Sequence, residues 1–226
     1  MAISEQIDHW RQLNIVSPSQ LEQYPVTVIG AGGIGSPVVQ VITKMGVSDV
    51  TVYDHDKVEM HNLPNQLYRL SDIGEHKVVA LQHICREMSG VEITACPELF
   101  TSQKLSGIVV CAVDSMQARI DIWQEVSYNP NIRLFVDARM GGLISRIHTV
   151  RPWDLDEVTH YENTLHTDEE AVEDPCTARA IIFNVYNIAA QIADIIKRVA
   201  KEDPIPLDLY FDWVNLSFFH TKMEVR

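Results

Sequence analysis

No C-x-x-C pair occurs in this chain, whose four cysteines, Cys85, Cys96, Cys111 and Cys176, are scattered singly. That spacing excludes a zinc ribbon and a paired redox motif, and it argues against a disulfide framework. Cys85 and Cys111 sit in apolar runs and read as small buried hydrophobes. The nine histidines contain no H-x-x-x-H or H-x-H pair, which argues against a metal role for His55, His61 or His76. Basic residues are few: 18 Lys and Arg against 31 Asp and Glu give a formal charge of -13. A balance of that sign disfavours a nucleic-acid backbone as the main partner and favours a basic protein surface. Long apolar runs are missing too. The most apolar stretch, residues 181–200, is interrupted by Asn184, Asn187, Gln191, Asp194 and Lys197, and the opening "MAISEQIDHWRQ" is polar. Neither a membrane span nor a secretory leader is expected, and the protein is read as cytoplasmic. No internal repeat or low-complexity tract divides the chain. Its 226 residues, 46% apolar, suit one well-buried domain over 1–226.

What the chain does have is a glycine loop. In "VTVIGAGGIGSPVV", residues 26–39, an apolar β-branched run feeds into Gly30, Gly32, Gly33 and Gly35 and then into helical spacing. This is the strand, turn and helix order of a nucleotide-binding fingerprint. Glycines let the backbone approach phosphate closely, and the first N–H groups of the helix point at it with the positive end of the dipole behind them. The loop alone does not choose between NAD, FAD and ATP.

Short runs rich in Val, Ile and Thr recur at 26–30, 50–53, 91–96, 107–113 and 132–137, with helical periodicity near 36–45, 74–89 and 115–126. That alternation predicts an α/β, Rossmann-like, mostly parallel sheet with helices on both faces. After "DARMGG" the pattern changes: "LISRIHTVRP" alternates apolar and polar residues, and 207–213 and 216–221 predict antiparallel strands near the C-terminal end. Residues 153–175 are acidic and irregular and read as a crossover loop. Ile181, Val185, Ile188, Ala189, Ile192, Ile195, Ile196 and Val199 then mark one face of a long helix.

The second strand ends in "VYDHDKVEMHNLPNQLYRLSDIGEHK". Asp54 lies about 20 residues past the glycine loop, where an acidic side chain takes the ribose hydroxyls. The same segment gathers Asp56, Asn62, Gln66, Arg69 and Lys77 into one polar run. Cations and amides beside a triphosphate are what phosphoryl or nucleotidyl chemistry requires, so ATP is favoured over NAD. Asp114 closes the apolar run "GIVVCAV" at the carboxyl edge of a predicted strand, where open parallel sheets hold ligands.

"GAGGIGS", "DHDKVEMHNLPNQ", "DIGEHK" and "CAVDS", in that order across about residues 26–119, resemble the ThiF/MoeB family, the adenylating enzymes that include the activating enzymes of ubiquitin-like proteins. The resemblance implies an ATP and Mg2+ site that activates the C-terminal carboxylate of a small β-grasp carrier as an acyl-adenylate, releasing pyrophosphate. It implies Asp54 on the ribose, Asn62 and Lys77 on the phosphates and Asp114 on magnesium. It also implies a homodimer, in which Arg11 of "HWRQL" reaches a partner subunit's site. Each residue keeps a structural alternative: Asp54 as a turn cap, Lys77 as a solvated charge, Asp114 as a helix N-cap, Arg11 as a surface contact. The chain departs from the family at Asn65, where "N-L-x-R-Q" has arginine, and Arg69 one turn on is the candidate substitute. The family's usual zinc cysteines are absent as well.

Cys176 in "EDPCTARAI" stands where the long helix is expected to begin, a setting that promotes thiolate, helped by Arg179 and opposed by Glu173 and Asp174. The Cys-Thr start resembles a thioester-cysteine motif, which implies transfer of the acyl group from AMP to Cys176; a buried structural cysteine is the alternative. The glycines of "DARMGG" offer room for an acyl tail, and Arg139 is read either as a contact to phosphate or to the incoming chain, or as a turn anchor. Competing readings are adenylation and dehydration of a small molecule or a tRNA base, an NAD oxidoreductase, for which no catalytic His or Tyr-Lys set follows the cofactor half, and a silent scaffold.

Overall fold

The computed structural model describes residues 7–166 and 180–221. After a short helix α1 (Pro18–Leu21), the chain runs β1 (Val26–Ile29), α2 (Gly35–Met45), β2 (Val50–Tyr53), α3 (Lys77–Ser89), β3 (Thr94–Cys96), β4 (Gly107–Cys111) and α4 (Met116–Val126). It continues through β5 (Ile132–Gly141), β6 (Ile144–Val150), α5 (Leu155–Glu162), α6 (Ile182–Lys201), β7 (Asp208–Asp212) and β8 (Ser217–Thr221). All eight strands share one sheet in the order β3-β2-β1-β4-β5-β6-β7-β8. Pairing is parallel from β3 to β5 and antiparallel from β5 to β8. The expected mixed α/β sheet is therefore present, its antiparallel part at the C-terminal end.

The apolar runs explain the layering. Every residue of β1 and β4 is buried, because both strands lie in the sheet interior with helices on either face. On one face α2, α3 and α6 close a core that includes Val38, Ile42, Leu81, Ile188, Ile192 and Ile196. On the other, α4 and α5 close a second around Trp123, Phe135 and Tyr161. The apolar stripe of α6 is buried from Val185 to Val199, while Ile181, its N-cap, is exposed. Among the described residues no helix is long and apolar enough to cross a membrane.

Two expectations need correction. Residues 153–175 were expected to form an irregular loop, yet Leu155–Glu162 is helical. Asp154 caps it by accepting from the N–H groups of Asp156 and Glu157, and Val158 and Tyr161, three residues apart, drive it into the second core. The strand expected to stop at 137 runs on through "DARMG" to Gly141, because that half pairs antiparallel with β6, Asp137 opposite His148. Gly142, with φ at +56°, belongs to the hairpin turn that follows.

The strand order places a switch point between β1 and β4. The chain leaves β1 toward β2 and β3 on one side, then returns to β4 on the other. Loops at the carboxyl ends of β1 and β4 consequently part and leave a crevice, the place where open α/β sheets bind ligands.

Candidate functional site

The glycine loop leaves β1 into this crevice, and its own packing demands glycine at two positions. Gly30 adopts φ +97°, and a Cβ there would come within 2.6 Å of the Ala112 carbonyl oxygen; a Cβ on Gly35 would fall 1.8 Å from the Gly30 carbonyl oxygen. Gly32 differs. A Cβ there would meet nothing within 4 Å, so the bareness of Gly32 serves no contact inside the protein. The N–H groups of Gly32, Gly33 and Ile34 find no acceptor among the described residues, whereas neighbouring loop groups are tied down. Free donors at a helix start beside an open backbone are the features of an anion cradle.

Three side chains hold the loop in shape. Asp54, at the end of β2, accepts from the Ala31 N–H at 2.7 Å and from the Asp56 N–H at 2.8 Å. Tyr68 donates its hydroxyl to the Ala31 carbonyl at 2.6 Å, so both sides of the Ala31 residue are pinned. Ser36 donates to the Gly32 carbonyl and accepts from the Leu67 N–H, tying the loop to the 60s segment. Tyr68 and Ser36 were not singled out from the sequence, although a buried tyrosine within the polar run was a usable signal.

The polar run lies beside the loop, with its members in different states. Lys77, buried at the start of α3, donates from Nζ to Asp56 at 2.8 Å, and that hydrogen bond lowers the Asp56 carboxyl below its ordinary range. Asn62 is buried, and its side chain accepts from the Glu59 N–H at 2.8 Å. The Oε1 of Gln66 is buried with no partner among the described residues. The Asn65 carbonyl stands 3.5 Å from where a Gly33 Cβ would sit, which brings position 65 against the loop. Arg69 points elsewhere. Its guanidinium is bound to Asp72 at 3.1 Å and to Glu87 at 2.6 Å, so here it is held by two carboxylates.

Asp114 follows β4 on the opposite side of the crevice. It is exposed and has no hydrogen-bond or ionic partner among the described residues. The N-cap of α4 is Ser115, whose hydroxyl accepts from the Ala118 N–H, so capping is not the task of Asp114. Two residues earlier, Ala112 touches Gly30. A free hard oxygen donor beside a phosphate cradle fits magnesium, which is commonly held by one or two carboxylates together with phosphate oxygens. Asp54, His55 and Asp56 also bring ligand atoms within 4.8 Å of one another, but Asp54 is engaged with the loop and Asp56 with Lys77.

Beneath Asp114 lies a charge network that sequence reasoning missed. Arg119 of α4 is buried and donates to Asp137 at 2.6 Å, to the Ser115 carbonyl at 3.2 Å and to the Val113 carbonyl at 2.9 Å. Asp137, wholly buried, also accepts from Arg139 and from the Tyr161 hydroxyl. Burial alone would raise its carboxyl, but the guanidinium groups of Arg119 and Arg139 prevail and hold it low. Arg139 continues to the carbonyl and hydroxyl of Thr164, anchoring the chain after α5.

Of the cysteines, Cys85 and Cys111 are buried, and burial pushes their thiols up to about 11 and about 12, away from nucleophilic use. Cys176, Arg179, Glu173 and Asp174 lie outside the described residues. Arg11 is exposed over the Trp10 ring, next to Gln12, which donates to the Met45 carbonyl at 2.6 Å. Met45 ends α2, so Arg11 stands at the far end of that helix, roughly 16 Å from the glycine loop of its own chain.

The family model described as the ThiF family matches residues 3–221. The chain is 38% identical over 86 residues to a sulfur carrier protein adenylyltransferase of Thermus thermophilus, a match covering 37% of this chain and 32% of the relative. It is 29% identical over 80 residues to the ubiquitin-like modifier-activating enzyme 5 of Rattus norvegicus, covering 35% and 20%. Each of these matches thus spans a third or less of the curated relative. Among solved structures, PaaA superposes with TM-score 0.71 at 14% identity, covering 97% of this chain and 76% of that one. E. coli MccB with ATP gives 0.72 at 14% identity, covering 92% and 67%. At such identities the likeness speaks for the fold alone.

Proposed function

This chain belongs to the ThiF family, and on that premise we propose that it uses ATP to adenylate the C-terminal carboxylate of a small ubiquitin-like or sulfur-carrier protein. One observation carries the reading: the N–H donors of Gly32, Gly33 and Ile34 and the carboxylate of Asp114, which have no partner among the described residues, flank a single switch-point crevice. The donors take phosphate oxygens and Asp54 the ribose hydroxyls. Lys77 and Asn62, with Asp56 and Gln66 beside them, line the phosphate side. Asp114 would hold magnesium, which would supply positive charge to the phosphate oxygens.

In the reaction the carrier's carboxylate oxygen attacks the α-phosphorus. A new acyl–oxygen–phosphorus linkage forms, the bond from α-phosphorus to the bridging oxygen breaks, and pyrophosphate leaves. The carboxylate is already the nucleophile, so no general base is required, and positioning and charge neutralisation carry the rate. Arg11 acts, in this reading, across a homodimer, which its distance from its own loop supports. Cys176 is proposed to receive the acyl group: its thiol gives up its proton to solvent, the sulfur bonds to the carbonyl carbon, the bond from that carbon to the phosphate oxygen breaks, and AMP departs. An acyl adduct that persists in Cys176→Ala on non-reducing mass spectrometry overturns that last step alone.

ATP–pyrophosphate exchange tests the whole. Exchange stimulated by a carrier ending in Gly-Gly, and lost in Asp114→Asn, is expected. Stimulation only by tRNA or a small molecule would move the substrate to the alternative class, and a chain with no affinity for ATP would leave an NAD oxidoreductase or a scaffold, which the fluorescence of bound NADH separates.

A further inference from the structure

We propose that Arg119 is a positioning residue for the metal-bearing carboxylate: it clamps the loop that presents Asp114 and uses Asp137 as its buried anchor. The inference rests on the adenylation reading, since it assigns Asp114 to magnesium. Among the described residues Asp114 has no hydrogen-bond or ionic partner, yet its flanking peptide carbonyls, Val113 on one side and Ser115 on the other, are both gripped by one guanidinium at 2.9 and 3.2 Å. A third carbonyl, Ala138 on β5, accepts from the same group at 3.3 Å, and Asp137 accepts at 2.6 Å. Arg119 therefore sews the exit of β4 to β5 on both sides of Asp114. An exposed turn would otherwise be free to choose where its carboxylate points.

Only arginine supplies this pattern. Its five donors lie in one rigid plane and can serve several acceptors spread around it, whereas a lysine ammonium is a compact point charge on a flexible stem. Outer groups that orient a metal ligand typically influence metal affinity about 10–100-fold.

The experiment compares Mn2+ binding, followed by electron paramagnetic resonance with a non-hydrolysable ATP analogue, in the wild type, Arg119→Lys and Asp114→Asn, with urea unfolding as the structural control. Arg119→Lys is expected to stay folded and weaken Mn2+ by about 10–100-fold, with pyrophosphate exchange rescued by raised Mn2+. Wild-type Mn2+ affinity in folded Arg119→Lys, with binding lost in Asp114→Asn, overturns the positioning role and leaves the adenylation reading standing. Wild-type affinity in Asp114→Asn overturns the reading itself. Should Arg119→Lys fail to fold, the charge-balanced pair Arg119→Gln with Asp137→Asn takes its place under the same two criteria.

Discussion

Gly32→Ala separates a loop built for packing from a loop built for phosphate. A methyl group at Gly32 points into open space, and the residue lies outside the left-handed region, so the substitution strains nothing in the free protein. Removing a glycine from such a position stabilises by about 0.4–1 kcal/mol, through the unfolded chain. The same methyl at Gly35 would fall 1.8 Å from the Gly30 carbonyl oxygen, where real contacts of this kind keep at least 3.0 Å. The loop would have to open by about 1 Å, a cost of about 3 kcal/mol or more. Urea unfolding should therefore shift the midpoint of Gly32→Ala slightly up and that of Gly35→Ala strongly down. Calorimetric titration with ATP and magnesium should show Gly32→Ala weakened by about 10–100-fold, equivalent to about 1.4–2.8 kcal/mol, because the methyl occupies the approach to the free N–H groups. A Gly32→Ala protein that is as stable as expected and still binds ATP like the wild type would refute the assignment of this loop to phosphate.

Tyr68→Phe strips the Ala31 carbonyl of its buried donor; a loss of about 1–2 kcal/mol in urea unfolding is expected, with a several-fold weaker ATP titration, and unchanged values for both would mean that the loop holds itself. Acid stability offers a test of the antiparallel end of the sheet. Burial alone would raise the Asp208 carboxyl, but hydrogen bonds from His148 and His160 hold it at about 2, below its ordinary 3.8. A depressed carboxyl contributes stability that is complete above the unfolded value and is lost as pH falls through the folded one. The wild type should lose on the order of 2 kcal/mol from this group between pH 3.8 and about 2. Asp208→Asn should show a shallower decline in that window, and an identical acid slope would count against the network.

The parallel half of the fold was legible because its strands are continuous apolar runs bounded by glycine or by charge, and a strand buried on both faces has little freedom to look otherwise. Helix α5 was hidden by its own cap. Asp154, Asp156, Glu157 and Glu162 give the segment the composition of an acidic loop, while the helix depends on Val158 and Tyr161 meeting Trp123 across the core. "DARMG" misled for a similar reason: Asp137 and Arg139 pair within the segment, but the buried guanidinium of Arg119 that completes the neutralisation comes from α4, 18 residues away. Arg69 shows the limit most directly. A cation within a polar run invites assignment to phosphate, and only the fold brings Asp72 and Glu87 to its guanidinium.

Hydrogen-bond accounting separates the binding groups from the scaffold around them. A carboxylate offers about four acceptor directions. Asp54 uses two of them on the N–H groups of Ala31 and Asp56, which aims the remaining lone pairs while leaving capacity for two ribose hydroxyls. It can serve the loop and the sugar together, so its turn-capping and ribose-binding readings are not rivals. Lys77 resembles it, since the ammonium gives one of three donors to Asp56 and keeps two. Arg69 gives three of its five donors to Asp72 and Glu87, so its charge is already countered by two carboxylates. In the proposed function the positive charge facing the ATP phosphates is then assigned to Lys77, to the helix start at Gly35, to Arg11 of a partner subunit and to the cation at Asp114, the last on the turn that Arg119 grips.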